Sequence, residues 1–290
     1  MNYYAGDSRK RQFNNTSYRR PDTKNQDHLD LYDALMKRDY RAVKELMLKG
    51  VDPSEKISAG ETALHYAARA GCGVDVFQLL FSYGAADAIS IKDRDHQMSA
   101  LHYACENGDA DVVRFLLEKG ADANQETKLG ARPLHIAAKR GDIEMAKTLI
   151  EAGADQDKAL DKMERTPIFE AVRAGDHDMI EFLIHKGANL DHQNISGQNV
   201  LHELVTEHRY DRNNIAGLLC HYGASAIMAD NAGRTPLDHV QNVRQSKLYD
   251  VIYEAAMLQR QERYHDFKKN KPPYNGNNGN NGGYNGPGRF

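Results

Sequence analysis

Thirteen histidines, three cysteines and 41 acidic residues give this 290-residue chain ample means for acid–base, nucleophilic or metal chemistry, so the question is whether any of them converge. His65, His102, His135 and His202 hold equivalent places in a recurring pattern, as the rungs of a metal ladder would. An ion needs its donors about 2 Å from one centre. Packed helix pairs lie about 10 Å apart, so rungs one unit apart cannot share it, and hydrogen bonding to caps and neighbouring loops is the reading that follows. Asp109 with Asp111, Asp142 with Glu144 and Asp176 with Asp178 are paired carboxylates of the kind that serve as general acid and base, but that work requires burial in a cleft. Each pair opens a helix, where a carboxylate is stabilised by ~0.3–1 kcal/mol. Glu170 and Glu203 fall at equivalent places in adjacent units and could form an acidic patch or be hydrogen-bonded in place. Of the cysteines, Cys105 and Cys220 fall on inward positions, and Cys72, between two glycines in a bend, is expected to be the more exposed thiol. No Gly-rich phosphate loop, Ser/His/Asp arrangement or zinc spacing appears. The expectation is a non-enzymatic protein with no cofactor, no metal and no small-molecule substrate.

The elements that position these residues are copies of one unit. Leu64, Leu101, Leu134, Ile168, Leu201 and Leu237 follow one another at 37, 33, 34, 33 and 36 residues, a periodicity that points to a stacked helical array. Ser99, Thr62, Thr166, Asn199 and Thr235 can cap a helix, and Pro133, Pro167 and Pro236 suit its first position. Leu101, Ala104 and Cys105 then make a small apolar face, and Gly108, Gly141 and Gly175 break the helix. A second helix follows, with Val112, Val113, Leu116 and Leu117 inward, and ends at a Gly-Ala pair such as Gly120-Ala121.

TPLD at 235–238, TPIF at 166–169 and RPLH at 132–135 are near-literal versions of one motif, and on them the chain resembles the ankyrin-repeat family. The likeness runs from about Asp27 to Gln259, as an N-terminal cap unit, five full units and a C-terminal cap unit. Phe169 and Asp238 depart from the motif's histidine, and Arg132 from its threonine. The resemblance implies an all-α solenoid of helix-turn-helix units joined by finger loops, with finger tips and the exposed ends of the first helices lining a concave protein-binding surface. By position the candidate contacts are Asp93, Arg94, Asp95, His96, Lys128, Lys162 and Glu164 on fingers, and Arg69, Glu106, Asn107, Lys139, Arg140 and Arg173 on helices. It also marks Asn124, after GADA, as a possible substrate of an oxygen-dependent hydroxylase.

Charge divides the chain further. Residues 1–26 and 260–290 each carry +4, which leaves −11 on the repeats of a chain of net −3. Both ends read as disordered: a basic segment with Tyr3, Tyr4, Phe13 and Tyr18, and a helix extension followed by an Asn/Gly-rich tail. The function expected is a protein-binding adaptor or inhibitor. The alternative is a ribonucleoprotein component whose basic tails bind RNA while the repeats recruit a protein. No apolar run suggests a membrane span or a secretory signal, so an intracellular place, cytoplasmic or nuclear, is expected. Two insertions stand out: about three residues in the finger ISIKDRDHQM, expected to project further, and three in the bend around EHRYDRNN.

Overall fold

Residues able to start a helix recur on schedule, and helices follow them. The computed structural model describes residues 25–56, 59–157, 163–206, 212–240 and 246–269, and all regular structure among them is helical. Helix pairs run in chain order: α1 (Gln26–Met36) with α2 (Tyr40–Leu48), α3 (Ala63–Ala70) with α4 (Val74–Ser82), α5 (Ala100–Asn107) with α6 (Ala110–Glu118) and α7 (Pro133–Arg140) with α8 (Ile143–Glu151). They continue as α9 (Pro167–Ala174) with α10 (His177–His185), α11 (Val200–Thr206) with α12 (Arg212–His221), and α13 (Pro236–Val240) with the long α14 (Ser246–Lys269). The first helices stack in one row from α1 to α13, α2 to α10 form a second, and α14 closes the array against α12 and α13.

The second helices start where the acidic pairs predict. Asp39, Asp109, Asp142 and Asp176 are the N-caps of α2, α6, α8 and α10, each carboxylate accepting the N–H three residues on at 3.0–3.1 Å. Such a cap contributes ~1 kcal/mol, so the first acid of each pair serves the helix rather than catalysis. Helices α3, α5, α7 and α9 end on a glycine in the left-handed region, as at Gly108, φ 79°. A side chain there would also collide with the Arg140 guanidinium of the next unit. Between the two rows runs a thin apolar layer in which Leu64, Leu101, Leu134, Ile168 and Leu201 are all buried.

Three expectations need correction or fall outside the described ranges. The long finger does not project by three residues: a 3-10 turn, Ala85–Ala88, takes up the excess before the finger starts. The finger turn itself gains one residue, since Asp93 N–H bonds Met98 O where its counterpart Thr127 bonds Ala131 O. Cys72 is not an exposed thiol. It is buried, its Sγ lies 3.4 Å from Leu35 O, and burial pushes the thiol up to about 11. Most of the bend around EHRYDRNN, residues 207–211, lies outside the described residues.

The tightest position of each finger is left-handed and is glycine at Gly130, Gly197 and Gly233, but Gln97 (φ 54°) and Glu164 (φ 51°) stand there in two fingers. A side chain in this region is disfavoured by roughly 1–2 kcal/mol, part of which glycine gives back in unfolded-state entropy. Glu164→Gly and Gln97→Gly are each expected to stabilise the array by about 0.5–1 kcal/mol. A urea midpoint that stays put or falls would show that the side chains offset the strain.

Candidate functional site

The fingers lie in a row. Among the described residues four are closed on themselves, by Asp93 N to Met98 O (2.9 Å), Thr127 N to Ala131 O (2.9 Å), Asn194 N to Gln198 O (2.9 Å) and Asp230 N to Arg234 O (2.8 Å). Neighbours are tied by single backbone bonds, from Arg94 N to Ala59 O, Lys128 N to His96 O, Ile195 N to Met163 O and Asn231 N to Ser196 O.

The histidine ladder clamps each helix start to the finger that follows. Thr62 N–H donates to His65 Nδ1 at 3.1 Å, the Thr62 hydroxyl lies 2.9 Å from the same nitrogen, and His65 Nε2 reaches Met98 O at 3.2 Å. His102 repeats this with Ser99 and Gln125 O, and His135 with the Arg132 N–H and Arg165 O. His202 bonds Asn199 and Arg234 O. Both nitrogens of every ring are engaged, so none is available to a metal, and no group of metal-holding side chains occurs among the described residues. Burial lowers His65, His102 and His135 to about 4. Where Asp238 replaces histidine, its carboxylate accepts the Thr235 N–H (2.7 Å) and hydroxyl (2.8 Å) instead. Where Phe169 does, the Thr166 hydroxyl has no partner.

The structure separates the candidate contacts by what already holds them. Asp93 is buried: its carboxylate accepts the His96 and Met98 N–H groups and the Tyr103 hydroxyl, so it shapes the finger and is not offered to a partner. Asn107 caps the end of α3 through Ala68 O and Arg69 O, and Arg140 donates to Glu106 O at the end of α5. Arg69 pairs with the buried Glu61 at 2.7 Å and lies over the Tyr66 and Tyr103 rings. Glu170 and Glu203 are no acidic patch: Arg173 pairs with both, and Arg165 also pairs with Glu203. Glu106 and Lys139 are half-buried, and burial raises the Glu106 carboxyl. Arg94, Asp95, His96, Lys128 and Glu164 are exposed on the fingers. Lys162 lies outside the described residues, as do residues 1–24 and 270–290, on which RNA contact was expected to rest. Asn124 ties two units together, donating to Gly153 O (2.8 Å) and accepting the Asp155 N–H (2.9 Å), so hydroxylation at this side chain requires its loop to leave the array.

Charge-based reasoning missed Leu129, Met163 and Ile195, which are exposed at three successive fingers. The signal was present: each is an apolar residue set between polar or glycine neighbours in a turn, at Lys128-Leu129-Gly130, Lys162-Met163-Glu164 and Asn194-Ile195-Ser196.

The family model for ankyrin repeats (three copies) matches residues 31–127 and 121–194. Delta-latroinsectotoxin-Lt1a of Latrodectus tredecimguttatus is 35% identical over 104 residues, which is 34% of this chain and 8% of that protein. BCL-6 corepressor-like protein 1 of Homo sapiens is 38% identical over 78 residues, 27% of this chain and 4% of that protein. The chain therefore spans a small fraction of the curated relatives it matches. Among solved structures, the ankyrin repeat domain of Bcl-3, described as a unique member of the IkappaB protein family, superposes with a TM-score of 0.66 at 27% identity. That match covers 77% of this chain and 97% of that one. Ankyrin repeats typically mediate protein–protein interaction and are known as non-enzymatic modules. No helix among the described residues is long and apolar enough to cross a membrane. With the repeat motif, the paired helices, the bonded fingers and a family match over more than half its length, the chain belongs to the ankyrin-repeat proteins.

Proposed function

We propose that this chain is a non-catalytic adaptor or inhibitor that holds a partner protein along its finger row and the adjoining ends of the first helices. The observation that carries this reading is the division of labour among the polar groups. Histidines, N-cap aspartates, Asp93, Asn107 and Arg140 are spent on capping helices, shaping fingers and joining one unit to the next, whereas Arg94, Asp95, His96, Lys128 and Glu164 are exposed on the fingers. Mixed charge on a rigid, exposed row favours selection among partners more than raw affinity.

Variants that test it must leave the stacking groups alone, which excludes Arg140 and Arg173. The triple change Arg94→Glu, His96→Glu and Lys128→Glu is expected to abolish capture of proteins that the unaltered chain retains, with the same urea midpoint. Undiminished capture by the triple variant would move the site off this row.

A further inference from the structure

The side chains along the finger row change character from one end to the other. Arg94, Asp95 and His96 are exposed on one finger and Lys128 on the next. Leu129, Met163 and Ile195 follow at 49%, 42% and 55% exposure, and the last finger returns to Asn231 and Ala232. The turn does not require apolar residues there, because His96 and Ser196 stand at the place of Leu129 and Met163 in the fingers on either side. Three large apolar side chains in consecutive units therefore form a ridge whose burial awaits another molecule.

The backbone sets the spacing of that ridge. Ile195 N–H bonds Met163 O at 3.2 Å, so these two residues lie side by side, with Leu129 one finger away. A finger contains two backbone runs, and runs pair at about 4.8 Å, so fingers repeat at about 10 Å. A chain in the polyproline II conformation advances about 3.1 Å per residue with three residues per turn, so it turns every third side chain to the same face and meets a new finger at every third residue. A helix would have to space its apolar residues by seven, and would need a groove about 10 Å wide where the fingers offer a crest.

We infer that the ridge binds an extended segment of a partner protein in which two apolar side chains three residues apart rest on Leu129 and on the Met163–Ile195 pair. An acidic residue three positions before the first of them faces Arg94, His96 and Lys128, where the two cations outweigh the single charge of Asp95. Glu164, exposed beside Met163, repels an acid at the other end and so fixes the direction of the segment. This inference rests on the protein-binding reading above and narrows it to a sequence pattern.

Fluorescein-labelled synthetic peptides and the full chain provide the test, read by anisotropy. One peptide carries Asp followed by leucines at the third and sixth positions after it; the others place the leucines two apart or seven apart, or replace Asp by Lys. The first is expected to bind about tenfold more tightly than each of the others. Leu129→Glu and Met163→Glu should each weaken it by about tenfold at an unchanged urea midpoint, and Lys128→Glu should erase the preference for Asp over Lys. Equal binding in all registers, preference for the seven-residue spacing, indifference to Met163→Glu, or no binding of any peptide would each overturn the proposal. A second comparison isolates its failure from that of the broader reading. If a lysate yields the same proteins to the unaltered chain and to a Leu129→Glu, Met163→Glu, Ile195→Glu triple variant, the ridge is wrong and protein binding stands. If the unaltered chain retains nothing beyond bare resin, protein binding itself fails.

Discussion

Lowering the pH from 7.5 to 5 is expected to remove on the order of 6 kcal/mol from the folding free energy through three histidines alone. His65, His102 and His135 are buried, and desolvation holds them at about 4 against an ordinary 6.5. Each Nδ1 accepts a backbone N–H and each Nε2 donates to a carbonyl of the next finger, so an added proton finds no free lone pair; the Asp93 carboxylate favours charge on His65 and His102, but burial outweighs it. The sign follows from the folded value being the lower one. Between pH 6.5 and 4 the unfolded chain binds more protons, so stability is complete above 6.5, erodes as the pH falls, and the rings' share is gone below about 4. At pH 5 the loss is roughly 2 kcal/mol per ring. Urea titrations at several pH values would give the slope, which should correspond to uptake of about three protons on unfolding near pH 5.5. His102→Gln, although less stable throughout, should lower that slope by about one proton. Midpoints independent of pH across this interval would mean that the rings ionise in place and that the clamp is weaker than its geometry suggests.

Features governed by local chemistry were legible in the sequence, and features governed by the neighbouring unit were not. The period, the proline and glycine positions and the apolar faces predict every helix pair, because capping and amphipathicity act within a few residues. The structural role of the histidines was legible too, although only the coordinates name the acceptors: Met98 O, Gln125 O and Arg165 O each come from the next finger. Asp93 misled for that reason. A charged residue in a loop reads as surface, and its burial depends on Tyr103, ten residues on, and on a finger turn one residue longer than those closed by Thr127, Asn194 and Asp230. Asn107 and Arg140 misled likewise, since what each caps belongs to the unit before it. The apolar tips went unnoticed because apolar residues are ordinarily assigned to the core, although the charged neighbours on both sides of Met163 set it apart from a methionine on a buried helix face.

Stacking and binding thus draw on different parts of each unit. A cap or clamp residue reaches across a single interface, so its loss weakens a single interface, and the free energy of the array is close to a sum over units and contacts. Finger tips contribute little to that sum. They are free to vary in chemistry on a frame that stays fixed, which is why the ridge of Leu129, Met163 and Ile195 can exist without a structural reason.

Glu203→Ala is expected to cost about 3 kcal/mol, the largest effect of any single substitution considered for this chain. Glu203, on α11, is 3% exposed, and its Oε1 receives Arg165 Nη2 at 3.2 Å and Arg173 Nε at 3.4 Å. Removing the carboxylate leaves the Arg165 guanidinium, itself 18% exposed and with an unpartnered Nε, without its counter-charge in a site poorly supplied with water. The reverse deletion is milder. Arg173 is 39% exposed and also meets Glu170, so its attraction is screened and Arg165 still neutralises Glu203; Arg173→Ala should cost about 1 kcal/mol. Since Arg165 and Arg173 belong to the unit of α9 and Glu203 to that of α11, the damage falls on one interface of the stack. Hydrogen exchange should therefore show α11 to α14 opening in Glu203→Ala at a lower free energy than α3 to α8, where the unaltered chain opens more uniformly. A double cycle with Arg165→Ala would isolate the pair, and a small coupling with an unchanged midpoint would make this network an ordinary surface pairing rather than the joint between two units.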